Sequence, residues 1–66
     1  MDASAKTLQE YEALKRMVEE VSEDVMKAIG GNQTAGTRVR KAMQQIKNAA
    51  QSVRESVLEL RKSEAV

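Results

Sequence analysis

The sequence has no cysteine, histidine, proline, tryptophan or phenylalanine, and its one aromatic residue is Tyr11. Without cysteine there are no disulfide staples and no thiolates. Without histidine the imidazole ligand and the commonest general base are missing too. Nucleophile–base pairs and nitrogen or sulfur metal sites are thereby removed, so the chain reads as a non-enzyme that needs no metal or cofactor. The lack of interleaved aromatics takes away the platforms on which unpaired bases stack, which argues against sequence-specific recognition of single-stranded RNA. No apolar run is long enough for a transmembrane helix, and the N-terminal region lacks the charged start, apolar block and cleavage site of a secretory signal. The expectation is a soluble, cytoplasmic chain with no membrane partner and no small-molecule substrate.

What is present is a chain of 66 residues, 41% of them apolar. Any core must therefore be built from Leu, Val, Ile, Met and Ala, and it would be thin for a monomer. The three glycines, Gly30, Gly31 and Gly36, crowd the middle of the chain and divide it into two uninterrupted halves. In the first half Tyr11, Leu14, Val18, Val21, Val25 and Ala28 recur at alternating steps of three and four, widened by Leu8, Met17, Met26 and Ile29. In the second half Val39, Met43, Ile46, Ala50, Val53, Val57 and Leu60 follow the same rhythm. Both periods are helical. Asp2, Ser4 and Thr7 compete to cap the first helix, with Thr7 and Glu10 spaced as a capping box. Gly30 or Gly31 can end that helix, and Asn32 or Thr34 can cap the second. A connection of a few residues makes the helices antiparallel neighbours. The fold class is all-α: a single domain over 1–66, an antiparallel two-helix hairpin (about 3–29 and 33–63), dimerising into a four-helix bundle or coiled-coil assembly.

The reason to expect self-association is that one hairpin cannot cover both sides of such broad apolar stripes. With Val39 taken as heptad position d, the g positions are the small Ala42, Ala49 and Ser56. The e positions are the basic Arg40, Lys47, Arg54 and Arg61. Small residues at heptad spacing let another helix approach closely, so a dimer interface is expected at Ala42, Ala49 and Ser56 together with Val53, Val57 and Leu60. The plainer reading is that alanine is a good helix former.

Charge is divided between the halves. Residues 1–33 carry four cations against seven acids, a net −3, and residues 34–66 carry seven against three, a net +4. An acidic helix thus faces a basic one, which would also serve simple attraction within the hairpin. Arg38, Arg40 and Lys41 lie in the first turns of the second helix, beside the hydroxyls of Thr34 and Thr37, where the helix dipole disfavours cations. A bound anion would offset that cost, since amides, hydroxyls and guanidinium groups could converge on one phosphate. The heptad row Arg40, Lys47, Arg54 and Arg61 steps by about 10.5 Å. It could track a nucleic-acid backbone, or border a coiled coil in the ordinary way.

Other motifs carry less. Gly31 and Gly36 have the glycine spacing of a P-loop, but Thr37 and Arg38 stand where its lysine and hydroxyl residue belong. Asn32-Gln33-Thr34 matches a glycosylation acceptor without a secretory context. Glu19, Glu20, Glu23 and Asp24 lack a calcium-loop pattern and read as a solvated face. The methionines read as core fillers.

Gly31-Asn32, Ala35, Arg38-Val39-Arg40, Lys47, Ala50 and Arg54 together resemble the N-terminal region of the bacterial linker-histone-like proteins, the chlamydial histone-like type and its short relatives. The resemblance runs mainly over residues 31–62, and the first helix shares only length and apolar rhythm. It implies a nucleoid-associated helical protein that binds double-stranded DNA without strong sequence preference and helps to compact it. Phosphate contact would fall to Arg38 and Arg40, then Lys41, Lys47, Arg54 and Arg61, with Thr34 and Thr37 beside them. Larger members carry a tail rich in Lys, Ala and Pro, whereas this sequence stops at Val66. The other function left open is a helical protein-interaction or scaffold module that does not bind DNA.

Overall fold

A computed structural model describes residues 3–64 as two helices, α1 (Ala3–Ile29) and α2 (Gln33–Glu64). They fold back on each other as an antiparallel hairpin of 53 × 14 × 14 Å. With no proline in the chain, and with Ala, Glu, Lys, Gln, Arg and Met abundant, nothing interrupts either helix. Because α1 is already helical at Ala3, Thr7 lies inside it and is not its cap; Asp2 lies outside the described residues.

The turn is made by Gly30, Gly31 and Asn32. The amide of Gly31 donates to the Ala28 carbonyl at 3.0 Å and that of Asn32 to the Lys27 carbonyl at 3.0 Å. This pair of bonds is a Schellman motif, and it requires the left-handed backbone that Gly31 adopts at φ 99°. The next residue reverses the chain's role. Asn32 Oδ1 accepts from the Ala35 amide at 2.9 Å, and its carbonyl accepts from Gly36 at 3.1 Å, so Asn32 caps α2. One three-residue segment thus closes the end of α1 and opens α2.

The turn sets the level at which residues of the two helices meet. Val21 and Ala35 are buried, and so is Ser56, at 3% exposure. Ala35 and Ser56 are three heptads apart, with the half-buried Ala42 and Ala49 between them on the same line. That line of small residues is what α2 presents to α1. Ala42 and Gln45 close one crevice against Met17, Glu20, Val21 and Asp24, and the Ser56 hydroxyl donates to Glu10 Oε2 at 2.6 Å. The expectation that this row meets a second hairpin is corrected at Ser56: its surface is taken up inside the monomer, where a small side chain lets the two backbones approach.

Seating the small row on the seam turns the rest of each helix outward in a fixed sense. Positions one step to one side of the seam are Lys6, Glu10, Met17 and Asp24 on α1, with Arg38, Gln45, Ser52 and Glu59 on α2. Positions on the other side are Tyr11, Val18 and Val25, with Val39, Met43, Ile46, Ala50, Val53, Val57 and Leu60. The hairpin is therefore a ribbon with one polar and one apolar flank. The polar flank is closed by a Lys6–Glu59 ion pair at 3.8 Å and by Arg38 on Asp24. On the apolar flank Tyr11 and Val18 are each 50% exposed, Met43 45% and Val57 42%.

Candidate nucleic-acid interface

Four of the basic residues share one edge. Arg40, Lys47, Arg54 and Arg61 are exposed along the side of α2 that faces away from the polar flank. Over 21 residues of helix the row covers about 31 Å. Lys41 and Lys62 are exposed on the neighbouring row of the same outer surface, with Gln44, Asn48 and Gln51 between. Arg54 Nη1 donates to Gln51 Oε1 at 3.5 Å, and Gln51 Nε2 to Glu55 Oε1 at 3.3 Å. Among the described side chains Glu55 is the acid on this surface. The opposite edge belongs to α1 and carries Glu12, Lys15, Arg16, Glu19 and Glu23, the last paired with Lys27 at 3.4 Å.

The convergence imagined at the start of α2 does not form. Arg38 lies about 200° around the helix from Arg40 and is engaged in two bonds. Its Nε donates to Asp24 Oδ2 at 3.1 Å and its Nη2 to Asp24 Oδ1 at 2.9 Å. These bonds, with the guanidinium charge, hold the Asp24 carboxyl below its usual value and keep Arg38 more firmly protonated. Asp24 is thus a structural partner and not part of a solvated acidic face. Thr37 Oγ1 donates to the Gln33 carbonyl at 3.3 Å, and Thr34 is exposed. The remaining candidates, Arg40 and Lys41, lie on the outer surface with the heptad row.

Among the described residues three cross-hairpin contacts went unread in the sequence, Glu10–Ser56, Asp24–Arg38 and Lys6–Glu59. A signal for the second was present, since Asp24 and Arg38 stand equally far before and after Gly31, and an antiparallel hairpin brings such residues level.

Long exposed cations on a rigid rod can neutralise phosphates, and a row with one acid among its described neighbours offers an electrostatic track. The fold and this edge define a class: an antiparallel two-helix hairpin with one basic edge. Within that class the chain is placed by its sequence. The sequence model for the family described as Histone H1-like protein Hc1 matches residues 8–63, across both helices and the turn. The chain therefore belongs to the histone H1-like Hc1 family, a family of non-enzymatic DNA-binding proteins. The match reaches back through α1, beyond the motif residues around the turn. No curated protein and no solved structure matches the chain. Among the described residues no helix is long and apolar enough to cross a membrane.

Proposed function

We propose that the hairpin acts as a homodimer that binds the phosphate backbone of double-stranded DNA without reading its sequence, and so contributes to compaction in the nucleoid. The observation that carries the reading is the exposed basic edge of α2, with Arg40, Lys47, Arg54 and Arg61 in one row and Lys41 beside it. Family membership supplies the polyanion: DNA, at one charge per about 1.7 Å of axis, is the ligand such a row suits. Contacts of this kind position a protein and carry little base information. Self-association is supported by the open apolar flank, whose side chains remain 42–50% exposed in the single hairpin at Val57, Met43, Val18 and Tyr11.

Arg38 is a poor site for testing the reading, because reversing its charge would place two acids together at Asp24. The informative variant combines Arg40→Glu, Lys41→Glu and Arg61→Glu, which lie on the exposed surface of α2. Fluorescence anisotropy on a short mixed-sequence duplex at low salt is expected to show affinity falling by at least about a hundredfold, with helicity by circular dichroism unchanged. Retention of affinity in that folded variant would refute the assignment and leave the hairpin as a protein-interaction module.

A further inference from the structure

The apolar flank is exposed, and the hairpin itself carries the dimensions and border charge that an occupant must match. The chain exposes 5317 Å², whereas a compact monomer of its mass would expose about 4,200 Å². The excess of about 1,100 Å² exceeds the roughly 800 Å² per partner that a standard interface covers. A second copy brings a flank of the same length and the same apolar character. Two-fold symmetry then allows two face-to-face arrangements. If the axis lies across the helices, α1 covers α1 of the partner, α2 covers α2, and the turns lie at opposite ends. If the axis runs along the helices, each α1 covers the partner's α2 and the turns lie together.

Charge chooses between them. The outer border of the apolar flank on α1 is Glu12 and Glu19, followed by Met26. On α2 it is Arg40, Lys47, Arg54 and Arg61. Among the described residues neither Glu12 nor Glu19 has an ion-pair partner within the chain. The contacts Lys6–Glu59, Glu10–Ser56 and Asp24–Arg38 fix the levels of the two helices. They put Glu12 within about two residues of the level of Arg54, and Glu19 as close to that of Lys47, which is about 3 Å along the axis. With the axis along the helices, a partner's α2 keeps that level, so acids meet bases on both outer borders. With the axis across the helices, each border meets its own kind. Further inward, Lys15 then stands level with Ala50 of the partner subunit, whose methyl leaves room for the lysine stem to run out to the rim.

We infer that a second copy of this chain covers the apolar flank with the two-fold axis parallel to the helices, Glu12 and Glu19 of each α1 bordering Arg54 and Lys47 of the partner's α2, and both turns at one end. The inference rests on the self-association proposed above and deepens it. It divides the basic row into two classes. Lys47 and Arg54 face acids across the interface, while Arg40 and Lys41 near the turn and Arg61 and Lys62 at the far end have none opposite among the described residues. The DNA-contacting charge is thereby doubled at each end of a bundle.

The absence of native cysteine makes the test direct, because Gln33→Cys at the exposed start of α2 gives the full chain a single labelling site. Spin labels there, in protein shown to be dimeric by light scattering, are expected within about 20 Å of each other, since neighbouring helix axes lie 8–10 Å apart. A separation of about 45 Å, the length of α2, would overturn the arrangement while leaving dimerisation intact. Two charge reversals give an independent reading. Lys47→Glu with Arg54→Glu, and Glu12→Lys with Glu19→Lys, are each expected to raise the dimer dissociation constant at least about tenfold. Mixing the two variants is expected to restore it, with helicity unchanged throughout. In the crosswise arrangement each reversal exchanges one set of like charges for another, so an unchanged constant would also overturn the inference. A wild-type chain that stays monomeric at high concentration would overturn both the inference and the self-association beneath it. DNA binding enters none of these measurements and is tested separately.

Discussion

The two flanks of the hairpin are made by the same two helices at the same levels, yet they end differently. On the polar side Arg38 meets Asp24 at 2.9 Å, Lys6 meets Glu59 at 3.8 Å, and the Ser56 hydroxyl donates to Glu10 at 2.6 Å. Every one of these contacts is made within one chain. On the other side large apolar side chains stand half in water, uncovered by the other described residues. A two-helix protein has one seam, and here that seam is lined by alanine and serine. Small residues bring the backbones together but bury little apolar area, so the larger apolar side chains of the other flank stay exposed in the single hairpin.

The difference is open to attack from either flank, and the largest effect is expected on the apolar one. Val18→Glu with Val57→Glu puts a carboxylate on each helix of that face, and symmetry doubles both. The dimer dissociation constant should rise by at least about a hundredfold, seen as a halved mass in light scattering. A dimer that survives the change would mean that another surface associates. On the seam, Ser56→Leu forces a branched side chain between closely spaced backbones and strands Glu10, at a cost of about 2–3 kcal/mol. Ser56→Ala loses only the hydroxyl and costs about 1 kcal/mol. Thermal melts would rank the two; equal effects would mean that the hydrogen bond matters and the space does not.

The smallest effect is expected on the polar flank and appears as pH dependence. Arg38 lowers the Asp24 pKa in the fold, so the unfolded chain binds the proton more readily. The pair's stabilisation is in place above the usual carboxylate value near 3.8 and fades as pH falls below it. Melts at pH 6 and pH 2.5 should lose less between them in Asp24→Asn than in the wild type. The same loss in both would show that Asp24 has no such share.

Much of this was legible in the sequence. The helix limits follow from an apolar rhythm bounded by glycines, and the observed Ala3–Ile29 and Gln33–Glu64 fall within a residue of expectation. Turn chemistry was narrowed to two choices at each end, and hydrogen bonding selected Gly31 over Gly30 and Asn32 over Thr34. The rotation of α2 about its own axis was not legible. A heptad pattern says which residues share a face, but Ala42, Ala49 and Ser56 suit close approach to α1 as well as to a second hairpin. In the fold the short link brings α1 against α2, and the small row faces it. Arg38 was misread for a related reason: on one helix it looks like a cation beside a free helix end, and its partner is visible only once the turn has fixed the level of α1.

Whether the exposed edge of α2 binds DNA through phosphates alone is read by affinity against salt for two duplexes of unrelated sequence. Phosphate contact alone should give a linear fall of log affinity with log salt, with a slope of about −3 to −4 per chain for three to four neutralised phosphates, the same for both duplexes. A slope near zero, or affinities that differ more than about tenfold between the two sequences, would contradict it.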